Sequence, residues 1–118
     1  MTILFRLAFV AALVGVVVFA SLPHPAPLPG NPGDKLQHFL AFATLALLAA
    51  LAYPRAGLVT LLVVLSGFGA LIELVQAIPA LGRHPDLADW AVDTLATAMM
   101  LGLIDVTRRL QRRGLAQG

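Results

Sequence analysis

Four long apolar runs divide this chain, separated by short polar or proline-rich joins. The first extends from about Ile3 to Leu22 and is broken only by Arg6. The second, from about Leu36 to Tyr53, stops at Pro54, and the third, from about Leu58 to Ile78, stops at Pro79. The fourth, from about Leu87 to Val106, ends in arginines. Each run approaches the roughly 20 apolar residues that carry a helix across a hydrocarbon layer of about 30 Å. A proline cannot sit inside a helix without breaking it, so Pro54 and Pro79 mark helix ends. The pattern predicts an all-α fold, a four-helix transmembrane bundle forming one domain over residues 1–118. The predicted helices lie at about 3–22, 36–53, 58–78 and 87–106, followed by a basic tail at 107–118.

The joins refine this picture. Residues 23–33 carry prolines at 23, 25, 27, 29 and 32, which predicts an extended, irregular loop outside the lipid. The join Pro54-Arg55-Ala56-Gly57 is short enough to make helices two and three an antiparallel hairpin. The join from Pro79 to Pro85 is short as well. The first run has a rival reading as a signal peptide, with Val18-Phe19-Ala20 before the cleavage point. It is long for the apolar part of such a peptide, and it is read here as a retained helix.

Composition agrees with lipid as the main solvent. Hydrophobic residues make up 59% and charged residues 12%, about half the charged fraction typical of soluble domains. The absence of cysteine excludes disulfides, thiolate metal sites and a cysteine nucleophile. The net charge is only +2, and four of the cations, Arg108, Arg109, Arg112 and Arg113, follow the last apolar run. Such a cluster suits anionic lipid at a membrane face and gives no folded basic surface for nucleic acid.

Charge placement also predicts sidedness. With the N-terminus inside, the inner face holds Arg6, Arg55, Arg108, Arg109, Arg112 and Arg113, and the outer face only Lys35 and Arg83. The excess of inner cations places both termini in the cytoplasm. Trp90 and Tyr53 then fall near the outer and inner interfaces.

The acidic residues gather on the other side. Asp34, Lys35 and His38 open helix two, Glu73 and Gln76 lie near the outer end of helix three, and Asp86, Asp89 and Asp93 start helix four. Arg83 lies in the join before Asp86, and Thr97 continues the stripe of Asp89 and Asp93. His38, Glu73 and Asp93 fall at similar depths, about 6 to 10 Å from the helix ends. These nine residues, Asp34 to Asp93, are the candidate ligand-binding cluster. Ionisable groups at membrane depth are costly and usually face a wet cavity or a bundle interior. The plainer reading is a self-satisfied network that fixes helix packing. Asp86 and Asp34 would cap helices, Gln76 would join two helices, and His24 and His84 would be loop residues. Glu73 fits that reading least, because no basic residue lies within a turn of it. Five outer carboxylates against two fixed cations call for protonation or for a bound cation. A divalent cation is the candidate cofactor, with His38, Glu73, Asp89 and Asp93 as candidate ligands, although no dedicated metal spacing such as H-E-x-x-H occurs. Small residues at packing spacing, Ala46 and Ala50, Ser66 and Ala70, Ala98 and Gly102, predict close helix contacts.

Together, Asp34-Lys35-x-x-His38-Phe39-x-x-Phe42, Glu73-x-x-Gln76, Arg83 and Asp86-Leu87-x-Asp89 resemble the VanZ-like family. The resemblance covers most of the chain, from about Asp34 to Gly102. It implies a small multi-pass protein of the bacterial inner membrane, in a family whose founding member is associated with resistance to teicoplanin, a lipid-bearing antibiotic. The family more often has Asn and Gly where this chain has Asp93 and Ala96.

Three functions compete at this stage. The first is a non-enzymatic envelope protein binding a membrane lipid or lipid-linked envelope precursor at its outer face. The second is a metal-assisted hydrolase or transferase on a lipid-linked substrate, with His38 and Glu73 as acid/base candidates. The third is a small transporter or a subunit of a complex, which would require an oligomer.

Overall fold

The computed structural model describes residues 1–22, 32–82 and 85–117, except the side chains of Pro32 and Asp34. It contains helices α1 (Thr2–Ser21), α2 (Pro32–Ala52), α3 (Leu58–Gln76) and α4 (Leu87–Gln117). A 3-10 turn, Pro79–Leu81, lies between α3 and α4. All four helices are long and apolar enough to cross a membrane.

Helix ends follow local chemistry. Pro32 and Gly33, expected in the loop, instead open α2, because a helix's first turn has no N–H partner to lose. Ile78 was expected to close α3, but Pro79 forces it into an extended conformation, and α3 ends at Gln76. Gly82 then adopts a left-handed φ of 63° as its N–H bonds the Pro79 carbonyl. The apolar run of the fourth segment stops at Val106, yet α4 continues helical through Gln117, about 46 Å in all. The arginines therefore lie on a helix.

The helices alternate in direction, up, down, up and down. The start of α1 meets the end of α2, where the Arg6 Nε–H donates to the Ala52 carbonyl at 3.0 Å. The ends of α1 and α3 meet at the other pole, where Gln76 reaches the Ala20 carbonyl. The starts of α2 and α4 lie together at that same pole, joined by Lys35 and Asp86. Helix α2 packs most extensively on α4 and also on α1, and α3 packs mainly on α4.

The core is formed by Phe42, Leu45, Ala46, Ala49 and Ala50 of α2, Leu61 and Leu65 of α3, and Ala96 and Leu101 of α4. Ala46 and Ala50 are fully buried, as their spacing predicted. Ser66 and Ala70 are half-buried. Ala98 and Gly102 are exposed, a correction: α4 turns the face of Asp89, Asp93, Ala96, Thr97 and Leu101 inward. Helix α1 buries only Phe9 and Ala20, so most of its apolar surface faces outward.

Candidate functional site

Helix spacing builds the site. Lys35 and His38 are three residues apart on α2, and Asp86, Asp89 and Asp93 start α4 on the side facing them. The His38 Nδ1 lies 2.7 Å from the Asp93 Oδ1, and the His38 Nε2 lies 3.8 Å from the Asp89 Oδ2. The Lys35 ammonium donates to Asp86 at 3.1 Å and to Asp89 at 3.2 Å. Burial deepens along this row: the side chain of Asp86 is 46% exposed, that of Asp89 5% and that of Asp93 0%.

Helix α3 closes the site. The Glu73 Oε2 accepts the Asp86 backbone N–H at 2.9 Å, tying the end of α3 to the entry of α4. The Glu73 Oε1 is buried and has no hydrogen-bond partner among the described residues. His38, Glu73 and Asp93 each present a ligand atom within 4.8 Å of the others, a set with the donor chemistry for a metal ion. Asp89, the other candidate ligand, stands on the far side of the imidazole, against Lys35.

Close helix approach makes this burial feasible. A Cβ added to Gly69 would lie 3.0 Å from the Asp93 Oδ2 and 3.3 Å from the Asp93 Cβ. A larger residue there would press on the Asp93 carboxylate, so glycine eases its fit between α3 and α4. Nearby, the Trp90 indole N–H donates to the Ser66 carbonyl, and the Ser66 and Thr94 hydroxyls bond each other at 2.9 Å. Thr97, fully buried, donates to the Asp93 carbonyl.

Asp86 acts as the cap its position predicted. Its carboxylate accepts the Ala88 N–H at 2.9 Å. That bond, and then the one from Lys35, stabilise the charged form and hold its pKa below the usual carboxylate range. The side chain of Asp34 and all of Arg83, His24 and His84 lie outside the described residues.

Gln76 is buried but turned toward α1, its amide donating to the Ala20 carbonyl at 3.4 Å. It borders a cleft of about 490 Å³ between α1, α2 and α3. The wall is apolar along Ala12, Val16, Ala41 and Ile72 and ends on His38 and Gln76. On α1 it spans Ala12 to Ala20, about 12 Å of helix. Its size falls in the range of small-molecule sites, roughly 300–1,000 Å³.

Sequence reasoning missed Gly69 and the cleft. Gly69 lies one turn from Glu73, a spacing that could have flagged it as the partner of an inward carboxylate on α4. The cleft has no sequence marker, since its walls use the same alanine, valine and isoleucine as the rest of the bundle. No protein-family model matches the chain, and neither does any curated protein or solved structure.

Proposed function

We propose that this chain is a multi-pass protein of a bacterial inner membrane, with both termini cytoplasmic, that binds an amphiphile at its outer face. The headgroup sits at the polar cluster of Lys35, His38, Glu73, Asp89 and Asp93, and the tail lies in the cleft between α1, α2 and α3. One observation carries this reading: the apolar cleft ends on His38, a member of the buried cluster. A cleft apolar along its wall and polar at its end, where His38 joins it to the ionisable cluster, suits a lipid or lipid-linked envelope precursor. The excess of arginines at the opposite pole supports the orientation. The resemblance to the VanZ-like family points to the same compartment.

Mass spectrometry of lipids carried through purification in mild detergent tests the reading. The wild type should retain one lipid class well above its share of the host membrane, and Glu73→Gln should lose that enrichment. A bound-lipid profile equal to the bulk membrane in the wild type would overturn it.

A hydrolase or transferase on a lipid-linked substrate would use the same groups, and the His38–Glu73–Asp93 set favours it as the second reading. It requires headgroup release by purified protein that EDTA stops.

A further inference from the structure

We infer that His38, Glu73 and Asp93 form a binding site for a single divalent cation of the zinc or manganese type. The inference does not depend on the amphiphile reading, because the ion site is complete without a lipid.

Three observations converge. The first is the donor set: one imidazole and two carboxylates from three helices, with ligand atoms within 4.8 Å of one another. An ion with ligand distances of about 2.0–2.2 Å holds its ligand atoms roughly 3–3.5 Å apart, so it would replace the 2.7 Å hydrogen bond between His38 and Asp93, spreading that pair slightly, and draw Glu73 in by side-chain rotation. Three protein ligands with a further position open is the pattern of zinc sites that accept water or a ligand group.

The second is Glu73. The residue is 9% exposed, and its Oε1 is buried without a hydrogen-bond partner among the described residues. Its other oxygen is held by the Asp86 N–H, which fixes the carboxylate's orientation. A buried carboxylate oxygen without a donor is costly, and a cation at that position removes the cost.

The third is the surroundings of the imidazole. His38 presents Nδ1 to Asp93 and Nε2 to Asp89, at 2.7 and 3.8 Å. Histidines that bind metal usually direct the other ring nitrogen at a carboxylate, which sets the tautomer and strengthens the ligand. Asp89 stands in that place and is itself held by Lys35 at 3.2 Å. Charge closes in the same direction. With His38 neutral, the buried Glu73, Asp89 and Asp93 face one ammonium, Lys35, which Asp86 shares, and a divalent ion offsets two of the excess negative charges.

None of these observations requires hydrolysis. The ion's open position would accept an anionic oxygen, such as phosphate or carboxylate, that the acidic cluster alone would repel. The chemical class of ligand is therefore an anionic oxygen group, bridged to the protein by the metal.

The test uses the full chain in mild detergent, without a polyhistidine tag, stripped with EDTA and dialysed against Zn²⁺, Mn²⁺ or Mg²⁺. Elemental analysis should find about one equivalent of Zn²⁺ or Mn²⁺ on the wild type and on Asp105→Asn, which neutralises a carboxylate at the opposite pole. Glu73→Gln and Asp93→Asn should lose stoichiometric binding while keeping wild-type helicity by circular dichroism. Asp89→Asn should weaken binding about 10- to 100-fold, the usual effect of removing a carboxylate behind a metal-bound histidine. Failure of the stripped wild type to take up Zn²⁺ or Mn²⁺, or full occupancy in a folded Glu73→Gln, overturns the inference. Should those variants not fold, X-ray absorption on the Zn²⁺-loaded wild type decides. One imidazole nitrogen with oxygen ligands supports the site; an all-oxygen or multi-imidazole shell overturns it.

Discussion

At one pole of the bundle, charge stays near solvent; at the other it is withdrawn. Arg109 and Asp105 pair at 2.9 Å with side chains 70% and 41% exposed. Arg6 and Arg108 reach the carbonyls of Ala52 and Ala50, the orphan acceptors at the end of α2. The Arg6 guanidinium also lies 4.9 Å over the Tyr53 ring, which packs edge-on against Phe9. These cations finish helix ends and anchor the pole. At the acidic pole, Glu73, Asp89 and Asp93 are buried. The comparison separates two uses of charge. Arginines on backbone carbonyls need no further explanation, whereas the carboxylates buried around His38 depend on partners, and the Glu73 Oε1 has none among the described residues.

Crowding at the acidic pole is the first way to break the contrast. Gly69→Val should force α3 away from Asp93, costing roughly 1–3 kcal/mol as overpacking typically does. Gly67→Val, on the same helix where an added Cβ meets nothing within 4 Å, should stay near wild type. Thermal unfolding in detergent compares the two, and equal losses would show that Asp93 is not closely held. In the wild type with EDTA removed, Zn²⁺ should raise the midpoint, and Gly69→Val should blunt that rise.

A smaller effect distinguishes two surface charges, Asp86 at the acidic pole and Arg109 at the basic one. Asp86→Ala removes a helix cap and should cost about 1 kcal/mol at neutral pH. Because the folded pKa of Asp86 is depressed, its contribution is present above the ordinary carboxylate range and lost as pH falls through the folded pKa. The gap between wild type and Asp86→Ala should therefore narrow below about pH 4. Arg109→Gln, which removes only an exposed i,i+4 pair at the basic pole, should change stability by less than about 0.5 kcal/mol. A gap for Asp86→Ala that persists undiminished in acid would remove charge from the cap's role.

Much of this was legible in the chain. Pro54 and Pro79 marked helix ends because proline blocks a helix whatever surrounds it. That polar groups of α2, α3 and α4 gather at one level was expected from the sequence, since Lys35, His38, Glu73 and the aspartates stand out on otherwise apolar helices; the direct pairing of α2 with α4 was not. The inward face of α4 was half legible: the aspartates pointed to it, but Ala98 and Gly102 misled, because small residues also occur on faces turned outward. Helices apolar all round give little periodicity from which to read rotation. The rotation of α1, and so the cleft beside Gly15 and Val16, is set by packing against α2 and α3 and left no mark in the sequence. The length of α4 escaped for a related reason. Its last turns are polar, and an apolar count stops where the lipid would, while the helix continues.

The central claim is that one amphiphile lies along the cleft with its headgroup at the acidic pole. Photo-crosslinking tests it most directly. A photoreactive phenylalanine at Gly15, which lines the cleft with open space at its Cβ, is compared with one at Val14, 56% exposed on the same helix. The account predicts that Gly15 captures one discrete lipid class, that Val14 captures the bulk membrane mixture, and that Glu73→Gln abolishes the difference. Identical mixtures captured at both positions in the wild-type background would contradict it.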